Sequence, residues 1–206
     1  MATLQLDTVH STWIHPYVPE APEPYHRVIT VGTASGVVAC EYEVDTSDVQ
    51  SFAFNVPEDM AERVARFFKA YVAGRSTDPA DPSFSHREAY SERPPYNCHA
   101  FARYVITGAD HEGFEYRYDG FGSEAAKTAQ PFTGNLEAGQ HGVVFSRPNN
   151  HTSHSFLGLG RHAPFTLQAM NNHGNIGLLP YNQILPIYGK RPEDRFRMLA
   201  VPLITP

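Results

Sequence analysis

Asn97-Cys98-His99-Ala100-Phe101-Ala102-Arg103-Tyr104-Val105-Ile106-Thr107-Gly108 is the stretch on which both fold and chemistry turn. Ala100, Phe101, Ala102 and Val105 put apolar side chains on one side, so residues 97–108 predict a helix with a buried face. Asn97 is a good N-cap and Gly108 a stop. Cys98 then falls in the first turn, where unsatisfied N–H groups and the helix dipole favour thiolate over thiol. The thiolate is the nucleophilic form. The position also suits a small buried hydrophobe, the commoner role of a cysteine on an apolar helix.

Downstream of the helix, the chain reads as an aromatic stretch at Phe114 to Tyr118, a helical turn at Ser123 to Ala129, and then strands. The strands expected are Gly142–Ser146, His154–Gly160, Phe165–Met170, Ile176–Leu179 and Arg195–Pro202. Upstream, Tyr25 to Thr33 and Gly36 to Val44 predict a hairpin turning at Ala34-Ser35-Gly36, with a short strand from Val49 to Phe54. Pro57 opens a second amphipathic helix, on which Met60, Val64, Phe67, Phe68 and Tyr71 recur at helical spacing until Gly74. Residues 75–95 read as a polar loop. Pro16, Pro19, Pro22 and Pro24 mark residues 1–24 as an extended arm on the surface. Strands and a helix, then a cysteine-bearing helix, then a sheet make an α+β arrangement.

The composition bounds the function. The chain has 206 residues, 41% hydrophobic and 18% charged, enough for one domain with a full core. Its net charge of −6 argues against nucleic acid as partner, since phosphate binding wants surplus Lys and Arg. No apolar run is long enough for a membrane helix. Met1 to Tyr17 lacks the basic flank and apolar block of a secretory signal, which makes the cytoplasm the default location, with export by a non-classical route as the alternative. Two cysteines cannot build a disulfide scaffold, and Cys40, in an apolar run, reads as core rather than as a partner of Cys98.

A thiolate needs a base. His154 opens the strand HSFLGLG, and a cysteine on a helix facing a histidine on a strand is one way to build a thiolate–imidazolium pair. Gln168, on the strand TLQAM, offers an amide oxygen that would fix the imidazole tautomer. Each residue alone has a plain reading, a strand-end surface histidine and a solvent-facing strand residue. Asn171 and Asn172 are rivals of Gln168 for the orienting role. A metal reading rests on His141, His151, His154, His162 and His173. It is weak, because no H-E-x-x-H or C-x-x-C occurs, and no cofactor is expected.

YNCHAFARYV resembles the nucleophile helix of the NlpC-type cell-wall peptidases, D-C-S-G-L-V, and that of the related CHAP amidases. HGVVFS is similar to that family's G-D-L-V-F-F strand, HSFLGLG to H-V-G-I-Y-L-G, and TLQAM to F-I-H-A-S. NIGLLPYNQIL resembles the closing strand and turn, and DRFRMLAVPL the terminal strand. The likeness spans roughly residues 90–203, by motif and order. It implies a papain-like fold, a helix packed on a small antiparallel sheet. It implies Cys98 as nucleophile, His154 as general base, Gln168 as orienting residue, and Tyr90 or Tyr96 as the tyrosine that positions substrate. Lecithin-retinol acyltransferase relatives also carry N-C-x-x-F, but there the histidine comes first. The third family residue is usually His, and His99-Ala100 replaces the small Ser-Gly after the cysteine, which reshapes the oxyanion site.

Residues 1–90 then form an N-terminal extension of arm, hairpin and helix, and residues 91–206 the hydrolase core, as one compact unit. The function expected is a thiol hydrolase acting on an amide or peptide, such as a cell-wall peptide. The alternatives are an inactive binding module on the same scaffold and an acyl or amide transferase on the same dyad.

Overall fold

The computed structural model describes residues 1–15, 18–39, 46–73, 98–108, 120–147, 151–170, 175–189 and 195–203. Leu4, Leu6 and Thr8 are buried and alternate with the exposed Thr3 and Gln5, a period of two that lays the N-terminus into a strand. This strand, β1 (Ala2–His15), pairs antiparallel with β2 (Val18–Thr33) on one edge. On its other edge lies β4 (Gln50–Val56). β3 (Gly36–Ala39) folds back on β2. The later strands are β5 (Gln130–Pro131), β6 (His141–Arg147), β7 (His151–Gly158), β8 (Phe165–Met170), β9 (Asn175–Pro180) and β10 (Arg195–Ala200). Together they form one ten-stranded antiparallel sheet in the order β4-β1-β2-β9-β8-β7-β6-β10-β5, with β3 beside β2. β2 joins β9 at His26↔Leu178 and Arg27↔Gly177, so strands on both sides of residue 90 share that sheet.

The α+β, papain-like arrangement with a small sheet is therefore corrected. Among the described residues strand makes up 49% and helix 27%, and the sheet dominates the fold. The surface arm expected over residues 1–24 is instead β1 and the first part of β2. The prolines misled because each removes a ladder donor. Pro19, Pro22 and Pro24 are exposed, and before His26 the outer edge of β2 carries no ladder among the described residues. An edge is where a strand tolerates proline.

Both faces of the sheet are covered, which explains why strand β9 is apolar on alternate and adjacent positions alike. Leu178 joins a core with Leu6, Val31, Leu157 and Leu167, while its neighbour Leu179 joins Trp13, Tyr25, Phe156 and Met170. On the first core lie α1 (Glu58–Ala73) and α2 (Cys98–Thr107). α3 (Gly120–Thr128) packs beside α2 against β6 and β7. The second core is closed by α4 (Tyr181–Tyr188) through Ile184 and Ile187. The turn that the family resemblance implies after NIGLLP is instead this helix, which holds Pro186 within it. Among the described residues no helix is long and apolar enough to cross a membrane.

α1 anchors α2. Phe67 meets Phe101 edge-on at 4.8 Å between ring centroids. Arg63 donates from Nη1 to the carbonyls of Val105 (3.0 Å) and Ile106 (2.8 Å), satisfying the C-terminal acceptors of α2. Gly108 ends that helix at φ +67, with its N–H on Tyr104 O at 2.8 Å. A second glycine matters by closeness. A Cβ on Gly158, the last residue of β7, would sit 2.2 Å from Glu137 O and 2.5 Å from Leu136 Cβ. Backbone cannot step aside there as a side-chain tip would. Gly158→Ala is expected to lower stability by about 3 kcal/mol, the upper range of overpacking costs. The check is a urea midpoint, and a wild-type midpoint would show that the 136–137 segment yields freely.

Candidate active site

The first residue of α2 is Cys98, fully buried at the helix N-terminus with Phe101, Ala102 and Val105 below it on the same face. α2 packs on β7 and β8, the strands that carry His154 and Gln168. Those two strands pair only at Leu157↔Leu167 and Gly158↔Thr166. Beyond that short ladder a side-chain bond links them: His154 Nε2 lies 2.8 Å from Gln168 Oε1. On the other edge of β7, His154 is opposite Val144 and Thr152 opposite Phe145, so Ser153 is an extra residue. Such a bulge re-aims the side chains that follow it.

The polarity of this network is set from its far end. Thr166 Oγ1 donates to Leu179 O at 3.1 Å, so it accepts from Gln168 Nε2, also at 3.1 Å. With its amide nitrogen thus engaged, Gln168 presents Oε1 as an acceptor, and His154 Nε2 must be the donor. A neutral His154 then carries its proton on Nε2 and keeps Nδ1 as a bare base. Nδ1 is buried and has no well-aligned hydrogen bond among the described residues. The Tyr188 ring stacks on the imidazole, 3.4 Å between centroids and 5° between planes, and its hydroxyl donates to Met170 Sδ at 3.4 Å. Burial first, then the charges of Cys98 and Tyr25, push Tyr188 well above the usual phenol range, so it stays neutral.

Burial alone would raise the Cys98 thiol. The charges of His99 first and then His154 outweigh it and hold the thiol well below its ordinary range. Because no well-aligned bond forms at His154 Nδ1, that ring acts on the thiol chiefly through charge, as loosely held resting dyads do. The helix N-terminus adds to the same preference.

His99 belongs to a second network. Its Nδ1 is 2.7 Å from Ser155 Oγ, which is 2.8 Å from His141 Nε2. Burial, then the charges of His99 and His154, push His141 down to about 3. The unfolded chain protonates this residue near pH 6.5, while the folded protein does not until about pH 3. Unfolded protein therefore binds more protons between those values, and stability falls as pH drops through that window. The slope is about 1.4 kcal/mol per pH unit for one group. His141→Gln should flatten it, read as a smaller change in urea midpoint between neutral and mildly acidic buffer. An unchanged acid sensitivity would assign the loss to other groups. His141 also lines a cavity of about 550 Å³ with Met60, Val105, Ala125, Gly139 and Leu203.

The structure thus brings Cys98, His154 and Gln168 together. Tyr90, Tyr96, Asn97, Asn171, Asn172, His173 and Cys40 lie outside the described residues, as does the His151 side chain, while His162 is exposed on a turn. Among the described residues no group of three or more His, Cys, Asp or Glu is arranged to hold a metal. Sequence reading missed the parts played by His99, Ser155, Thr166 and Tyr188. Only Thr166, two residues before Gln168 on one strand face, carried a local signal. The chain matches none of the family models, curated proteins or solved structures with which it was compared.

Proposed function

We propose that the protein is a thiol hydrolase that cleaves an amide or peptide bond through Cys98, His154 and Gln168. The observation that carries this reading is the buried His154–Gln168 bond at 2.8 Å beside a cysteine held toward thiolate. In this reading Cys98 Sγ attacks the carbonyl carbon and forms a thioester. The leaving amine takes a proton from His154 Nδ1, water then attacks the thioester, and His154 takes a proton from that water. Gln168 holds the ring in the tautomer that leaves Nδ1 free. Chemistry of this kind recurs on unrelated scaffolds, so it does not depend on the papain-like fold that the sheet replaces. The chain order Cys, His, amide and the NlpC-like motifs support the same reading, and cell-wall peptide is the substrate class they point to. A cell-wall peptide lies outside the cytoplasm, so that substrate goes with export by a non-classical route, while a protein kept in the cytoplasm would act on another amide.

One observation favours a second reading, an inactive module: Cys98, His154 and Gln168 all have 0% exposure. Iodoacetamide labelling across pH, with mapping of the labelled residue, decides between them. Labelling of Cys98 well below the ordinary thiol range supports the hydrolase. A Cys98 that stays unlabelled while the protein is folded supports the module. With an activated amide substrate and added hydroxylamine, partition to hydroxamate instead of acid would move the assignment to an acyl transferase.

A further inference from the structure

Cys98 has two imidazoles beside it, and the trio uses one of them. His99 follows Cys98 in the first turn of α2, is buried, and exerts the larger charge effect on the thiol. Its Nδ1 is committed to Ser155 Oγ at 2.7 Å, and Ser155 in turn to His141 Nε2 at 2.8 Å. Nε2 is the nitrogen that remains for the thiol. We propose that His99, positioned by Ser155 and His141, is a second proton acceptor for the Cys98 thiol, so that the nucleophile is ionised without occupying His154. This rests on the reading of Cys98 as nucleophile.

The hydrogen-bond directions make the step possible. The Sγ–H bond breaks, its electron pair stays on sulfur, and the proton goes to His99 Nε2. The imidazolium so formed donates from Nδ1 to Ser155 Oγ. Ser155 has one hydroxyl proton, which then donates to His141 Nε2. That acceptor must be bare, and burial keeps the His141 ring neutral. In the opposite direction His141 Nε2–H donates to Ser155, and Ser155 donates to His99 Nδ1. The His99 proton is then on Nε2, and the ring cannot accept. The direction of one buried hydroxyl, together with the matching tautomers of the two rings, therefore separates an accepting from a donating His99. The titratable groups facing the thiol are His154 from β7 and Tyr188 from α4, with His141 of β6 behind His99 and Tyr25 of β2 behind Tyr188. With His99 carrying the thiol proton, the proton that His154 Nδ1 gives to the leaving amine is the one it took from the attacking water of the preceding turnover, and no thiol proton passes through it.

The test reads the thiolate itself, by ultraviolet absorbance across pH as a difference from Cys98→Ala, so that access to the buried sulfur does not matter. His99→Gln should raise the thiol inflection by about one pH unit or more, the usual effect of losing an opposite charge at contact, and Ser155→Ala should raise it by less, since it removes only the acceptor of the His99 imidazolium. Ser155→Thr, which keeps the hydroxyl, should stay at the wild-type inflection. Should His99→Gln fail to fold, nitrogen NMR of the imidazoles replaces it. In wild type the His99 ring should give imidazolium shifts that revert to neutral in Cys98→Ala. Folded Ser155→Ala and His99→Gln with a wild-type inflection, or His99 shifts indifferent to the thiol, would overturn the role of His99 and leave the hydrolase standing. An ordinary thiol inflection in wild type overturns the nucleophile reading, and this inference with it.

Discussion

Cys98→Ala should abolish turnover of any amide substrate, a loss of at least about 10⁴-fold, while the fold persists. Removing a nucleophile deletes the covalent route outright, and the partners left behind cannot act without it. The structural cost is small by comparison. One buried sulfur is lost at the start of α2, on the order of 1 kcal/mol, while Phe101, Ala102 and Val105 still hold the helix to the sheet. Circular dichroism and a urea midpoint establish the fold, and single-turnover assays with an activated substrate establish the loss. Retained turnover in folded Cys98→Ala would exclude covalent catalysis at this residue.

The parts of the fold that were legible are those whose cause is local. The helix expected over 97–108 runs Cys98–Thr107, because Phe101, Ala102 and Val105 repeat along one face and Gly108 can take the left-handed conformation that ends it. The strand expected at Phe165–Met170 has those bounds. Met60, Val64, Phe67 and Phe68 face the core as their spacing requires. The N-terminal strand differs from the surface arm expected there, although its signal is present in the sequence. Leu4, Leu6 and Thr8 alternate as a strand should, while the four prolines from Pro16 to Pro24 point the other way. Proline forbids only a paired donor, and whether an N–H would be paired depends on an edge that sequence does not reveal. α4 was illegible for a related reason. Its helix is held by Ile184 and Ile187 in the second core, and tertiary burial overrides the penalty at Pro186.

The site divides along the same line. Cys98, His154 and Gln168 are nominated by residue type and order, and the structure sets His154 against Gln168. The Ser155 bridge was not, since it needs the β6–β7 register that sets His141 diagonal to Ser155, and a helix that lays His99 over that strand. Nor was the stack of Tyr188 on His154, which joins α4 to β7 across residues distant in the chain.

His154→Ala should lower kcat/KM by about 10³- to 10⁴-fold, and Gln168→Ala by only about 10- to 100-fold. The first removes the group that moves the proton. The second removes a neutral amide, which orients the ring but adds little charge stabilisation beyond what a carboxylate would supply in greater measure. The Tyr188 stack still confines the ring plane in Gln168→Ala, which keeps that loss small. Thr166→Val sharpens the argument. Without Thr166 Oγ1 as acceptor, the Gln168 amide is free to turn and present nitrogen to His154 Nε2, where two donors would meet. Thr166→Val should therefore cost a fraction of the Gln168→Ala loss, and the double variant should cost no more than Gln168→Ala alone, since both act through one bond. Measured kcat/KM for the four variants on one activated amide tests this, with thermal unfolding as the control. Additive losses would mean that Thr166 acts elsewhere. A wild-type rate in Gln168→Ala beside a crippled Asn171→Ala or Asn172→Ala would move the orienting role to that asparagine.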